Sequence, residues 1–118
     1  MDLNSIRKKL ALFAKARNWD QYHTPKNLSM ALACEAAEML EIFQWLTEDE
    51  SKKENMDKKT LAHAEEEIAD ILNYLIRLAD KLDIDLEKAV NKKIKLNAKK
   101  YPVHLAKNNA VKYNRRQK

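Results

Sequence analysis

The chain has 118 residues and a formal net charge of +5, contains no glycine and only two prolines, and 35% of its residues are charged. That composition favours helices and excludes hairpin-rich folds, whose tight turns draw on Gly and Pro. One cysteine, Cys34, cannot close an intramolecular disulfide, and no uncharged stretch approaches the roughly 20 residues that span a bilayer. With no apolar N-terminal segment of signal type, the expectation is one soluble, cytoplasmic domain.

In chain order, the first helix is expected from about Asp2 to Arg17, with Leu3, Ile6, Leu10 and Phe13 as its apolar stripe. Asn18 to His23 breaks that pattern and reads as a loop. Thr24-Pro25 then reads as an N-cap followed by proline at the first helical position, where a missing N–H costs nothing. The second helix continues to about Trp45. Thr47 to Lys59 is a polar connection without an apolar face. The third helix carries a heptad-like seam of Leu61, Ala64, Ile68, Ile71, Leu75, Leu78 and Leu82, with Glu67, Asp70, Tyr74 and Arg77 in a line beside it. Asp83-Ile84-Asp85 makes a turn, and Asp85 caps a fourth helix that runs to about Lys100 before Pro102 stops it. The resulting expectation is an all-α four-helix bundle over residues 1–112, followed by a frayed basic tail at 113–118.

Two pairs of acids carry the chemistry. Glu35 and Glu38, and likewise Glu67 and Asp70, are spaced i,i+3, so each pair projects from one helical face. Leu28, Leu32, Met39 and Ile42 form an apolar line, and Glu35 occupies the place of its missing member. An anion on a core-facing stripe is costly unless something positive meets it. A hard divalent cation relieves the repulsion of four convergent carboxylates, and Mg²⁺ takes oxygen ligands, so the pairs point to a magnesium site inside the bundle. Glu66 is close enough to be a rival ligand, whereas Glu41 and Glu65 read as surface acids. Cys34 reads as a small buried hydrophobe.

From Lys88 to Lys118 the chain carries eleven Lys and Arg and no acid. A basic end of this kind suits an anionic partner, either nucleotide phosphates or nucleic acid.

The acid pairs, separated by 28 residues, resemble the signature of the all-α MazG-type nucleoside triphosphate pyrophosphohydrolases. Asn18-Trp19-Asp20-Gln21-Tyr22-His23-Thr24-Pro25, Phe43-Gln44-Trp45, Tyr74 to Asp80 and Tyr101 to Leu105 resemble the dCTP pyrophosphatase branch of that family. The resemblance spans nearly the whole chain and is weakest between the second and third helices. It implies cleavage of a deoxynucleoside triphosphate between its α and β phosphates, with Mg²⁺ held by Glu35, Glu38, Glu67 and Asp70; no side chain reads as a nucleophile, so direct water attack is expected. It also implies a base pocket of Trp19, His23, Trp45 and Tyr74, and a triphosphate grip from Lys93, Asn97 and Lys100. Lys100 stands where the related pattern usually has Arg, which removes a bidentate fork. Related enzymes are dimers of dimers, so a homodimer or homotetramer is implied, with no membrane association and no stable nucleic-acid complex. Another nucleoside triphosphate as substrate, or a non-enzymatic basic nucleic-acid binder, remain the alternatives.

Overall fold

The computed structural model describes residues 1–116, and every regular element among them is helical. Four long helices occur where the sequence places them: α1 (Leu3–Ala16), α2 (Pro25–Phe43), α3 (Lys58–Lys81) and α4 (Leu86–Lys100), followed by a short α5 (Val103–Ala106). The chain divides into two compact units, the first covering Met1–Ile84 and the second starting at Asp85. No helix is long and apolar enough to cross a membrane.

Side-chain caps set the starts of the long helices. Asp2, Thr24, Asp57 and Asp85 each accept a hydrogen bond from a backbone N–H in the first turn of α1, α2, α3 and α4. The cap at Asp57 starts α3 inside what the sequence suggested was still a loop. The rest of that connection is held by reciprocal bonds: Thr47 N–H donates to Glu50 Oε1 (2.9 Å) and Glu50 N–H to Thr47 Oγ1 (3.1 Å). A 3₁₀ turn follows at Lys53–Asn55.

Helix ends normally use glycine in the left-handed region, and this chain has none. Asn18 (φ 54°) and Asp83 (φ 53°) take that position instead, after α1 and α3. At Asn18 the paired bonds are complete: Trp19 N–H donates to Ala14 O (2.9 Å) and Asn18 N–H to Lys15 O (3.1 Å). Ile84 to Ala79 (2.9 Å) and Asp83 to Asp80 (3.2 Å) repeat the arrangement after α3. The first of these caps fixes where Trp19 emerges.

In the first unit α3 packs along α2 and also touches α1. Its buried apolar residues are Ala14, Leu28, Ala64, Ile76 and Ala79. The α2 line behaves as read: Leu28 is buried, and Leu32, Glu35, Met39 and Ile42 are half-buried. The α3 seam does not. Ala64 is buried and Ile71 and Leu78 half-buried, but Leu61, Ile68, Leu75 and Leu82 are exposed. A heptad repeat drifts by about 20° per seven residues around a straight α-helix. The inward face of α3 instead includes Glu67, Ile76 and Arg77. Cys34 is exposed, because it precedes the inward Glu35 by one residue, about 100° around the helix.

In the second unit α4 buries none of its own residues. In the basic tail, Tyr113–Arg115 forms a 3₁₀ turn. Tyr113 packs edge-on against Tyr101 with ring centroids 6.0 Å apart, and its N–H donates to the Tyr101 hydroxyl. Gln117 and Lys118, the rest of that tail, lie outside the described residues.

Candidate active site

The central cluster follows from the pairing of α2 with α3. Glu35 and Glu38 project one helical turn apart from α2, and Glu67 meets them from α3. One carboxylate oxygen from each lies within 4.8 Å of the others. Glu67 is buried, Glu35 half-buried and Glu38 exposed. Glu35 Oε2 and Glu67 Oε2 are fully buried without a hydrogen-bond partner. Burial, then the close carboxyl groups of Glu67 and Glu38, raise the Glu35 carboxyl to about 7. His63 places Nε2 3.5 Å from Glu67 Oε1.

Asp70 stands apart from the tight trio. It is exposed, yet near enough for its charge to help raise Glu35. Glu66, the rival ligand, is also outside the trio. An all-oxygen donor set with two buried, unpartnered carboxylate oxygens fits a hard divalent cation such as Mg²⁺.

Beside the acids is a cavity of about 380 Å³, lined by Leu10, Phe13 and Ala14 of α1, Trp19 and His23, and Asp70, Asn73, Tyr74 and Arg77 of α3. Three of the four expected base-pocket residues, Trp19, His23 and Tyr74, therefore share one cavity. Trp45 does not join them; it sits beyond the end of α2, 87% exposed. Phe13 supports Trp19 edge-on at 5.8 Å. Asp70 and Tyr74 link cavity to acids. Tyr74's hydroxyl is pushed up by burial first and then by the charges of Glu35, Asp70 and Glu38.

A charge network braces the cavity wall. Arg77, 5% exposed, donates from Nε to His23 Nδ1 (3.2 Å) and from Nη2 to Asp20 Oδ1 (3.0 Å). Lys81 Nζ also donates to Asp20 (2.6 Å). Asp80 lies 3.6 Å from Arg77 Nη1 and accepts from Arg7 Nη1 at 3.3 Å. The Lys81 ammonium first, and then the Arg77 guanidinium, hold Asp20 below the usual carboxylate range. His23 is lowered by burial and then by the Arg77 charge. Arg77 was visible in the line of Glu67, Asp70 and Tyr74, but nothing in its spacing announced His23 as a partner. Phe13, Asn73 and Leu10 were likewise not identified as cavity residues.

Lys93, Asn97 and Lys100 lie on α4 in the second unit. Lys93 and Asn97 are exposed, and the half-buried Lys100 sets its ammonium 4.8 Å from the centre of the Tyr113 ring.

Among the described residues, an all-α framework thus sets a carboxylate trio beside an aromatic cavity. The chain is a member of the MazG-like family, which it matches over residues 30–115. It is 41% identical to dCTP pyrophosphatase 1 of Rattus norvegicus over 111 residues, or 94% of this chain and 65% of the relative. It is 40% identical to the Homo sapiens protein of the same name over the same shares. The chain thus spans somewhat less than two thirds of the length of these relatives. A solved pyrophosphatase from Archaeoglobus fulgidus is similar at 39% identity and a TM-score of 0.78, covering 86% of this chain and 94% of that one.

Proposed function

We propose that this protein is a Mg²⁺-dependent nucleoside triphosphate pyrophosphohydrolase that cleaves dCTP, or a modified dCTP, to the monophosphate and pyrophosphate. The observation that carries the reading is the continuity of the aromatic cavity with the carboxylate trio through Asp70 and Tyr74. A nucleotide seated there has its base between rings and its phosphates against acids, an approach that like charges forbid without a cation. Kinship with proteins named dCTP pyrophosphatase 1 supports the choice of base.

Glu35, Glu38 and Glu67, with Asp70 as a weaker ligand, would hold the Mg²⁺, which supplies charge neutralisation and Lewis acidity to phosphate oxygens and water. Trp19 and Tyr74 offer the base flat surfaces, and His23 offers a ring nitrogen for its edge. Asp70, outside the trio and on the cavity wall, is the carboxylate we assign to accept the proton of the attacking water. Water adds at the α-phosphorus, the bond to the α–β bridging oxygen breaks, and pyrophosphate leaves. Lys93, Asn97 and Lys100 are assigned to the triphosphate, where cations and an amide bind phosphate without competing for metal. No serine, threonine, cysteine or lysine lines the cavity, which favours direct water attack over a covalent intermediate.

The assembly proposed is a homodimer or homotetramer. Leu61, Ile68, Leu75 and Leu82 expose an apolar stripe along α3 that water alone would cover at a cost. Trp45 is then assigned to a pocket shared with another copy. The proposed role is cleansing or balancing a cytoplasmic nucleotide pool. Incubating a panel of deoxynucleoside triphosphates with protein and Mg²⁺ tests the reading; dCTP should turn over fastest, and preference for another base would replace the substrate. Salt-dependent DNA binding without turnover would favour the nucleic-acid alternative, which leaves the inward acids of α2 unexplained.

A further inference from the structure

The geometry points to Arg77 as a positioning residue that locks His23 in its Nε2–H tautomer, making that histidine an obligate hydrogen-bond donor into the cavity. This selects a base whose ring nitrogen accepts, as cytosine N3 does, over one carrying N–H there, as thymine and uracil do. The inference rests on the proposed nucleotide reading and adds to it the device that sets base choice.

A guanidinium has only N–H donors and does not lose its proton in a protein. Its Nε–H points at His23 Nδ1 from 3.2 Å, so that nitrogen must present a lone pair. A neutral imidazole carries one N–H, and with Nδ1 accepting, the proton sits on Nε2. Nε2 makes no hydrogen bond among the described residues, and His23 lines the cavity.

Arg77 is itself held. It is 5% exposed and bonded to Asp20, with Asp80 beside it. The other charged groups facing His23 are Asp20 and Lys81, and the pull of Asp20 towards an imidazolium is outweighed by burial and by Arg77. Apolar residues on the α1 side of the cavity, Leu10, Phe13 and Ala14, supply no competing polar partner for a base edge. A site built around a fixed donor rejects ligands that bring a second donor, because both groups then lose water without gaining a bond.

Three Arg77 forms separate this role from mere packing. Lysine at 77 is still donor-only and should keep both tautomer and base preference. Glutamine at 77 can donate or accept, so it should release the tautomer. Either variant leaves Asp20 paired with Lys81 and Asp80 with Arg7, which protects the fold. The measurement is the ¹⁵N-resolved ring spectrum of His23, assigned by the signals lost in His23→Gln, together with kcat/KM for dCTP and dTTP.

The native protein should show Nε2–H alone at pH 7. Arg77→Gln should mix the tautomers and lower the dCTP-to-dTTP ratio roughly three- to ten-fold, and Arg77→Lys should do neither. A proton on Nδ1 in a native enzyme that turns over dCTP would overturn the tautomer assignment. An unchanged ratio in Arg77→Gln despite mixed tautomers would overturn the role in base choice. A native Nε2–H spectrum with no nucleotide turnover would instead defeat the functional reading on which that role depends.

Discussion

Replacing Glu35 by glutamine should stabilise the metal-free protein above neutral pH. Glu35 rises from an ordinary 4.5 to about 7, because burial and two neighbouring carboxylates oppose its charge. A folded pKa above the unfolded one means that the native state holds the extra proton. Stability from this group is therefore intact below pH 4.5, falls as pH rises towards 7, and is flat beyond. A rise of about 2.5 pH units at about 1.4 kcal/mol each sets a ceiling of about 3.5 kcal/mol. Water reaches the carboxyl from one side, and three acids share the repulsion, so about 1–2 kcal/mol is the expected size. The assay is urea denaturation with chelator at fixed protein concentration from pH 4.5 to 8. Parent and Glu35→Gln should coincide at the acid end and diverge by that amount at pH 8. Saturating Mg²⁺ should reverse the order, since a ligand at 100 times its dissociation constant adds about 2.7 kcal/mol to the protein that binds it. Parallel curves across the whole range would refute the burial of this carboxylate against its neighbours.

Other outcomes are equally direct. Glu38→Gln should abolish turnover in steady-state assays; activity within about tenfold of the parent, a loss of only ~1.4 kcal/mol, would exclude a ligand role. His23→Ala should lower kcat/KM for dCTP more than for dTTP or dUTP, whereas Trp19→Ala should weaken dCTP, dTTP, dUTP and dATP alike, because stacking tolerates base identity. An equal loss across bases in His23→Ala would make that residue a loop support only. Asn18→Val should cost about 1–2 kcal/mol in thermal unfolding, because a β-branched residue resists φ 54°, while Asn18→Gly should be near neutral. Equal melting of both variants would contradict the left-handed cap that positions Trp19.

The parts of the site that were legible in the sequence are those whose partners lie on the same helix. Glu35 betrayed itself by interrupting the line of Leu28, Leu32, Met39 and Ile42, and the fold keeps that line inward. The Thr24 and Asp85 caps were legible for the same local reason. Contacts between elements were harder to read. The bond from Arg77 to His23 joins residues 54 positions apart, and no periodicity encodes it. The α3 seam counted seven apolar residues without telling that Leu61, Ile68, Leu75 and Leu82 face outward. Trp45 matched a motif, but a motif does not say that its ring stays outside the cavity.

The central claim is a water-driven cleavage at the α-phosphorus by the acid cluster of α2 and α3. Its most direct test is chromatography and mass spectrometry of dCTP incubated with protein and Mg²⁺ in ¹⁸O-water. The account predicts dCMP carrying the label and unlabelled pyrophosphate, with no product from Glu38→Gln. dCDP with inorganic phosphate, or label in the pyrophosphate, would contradict it.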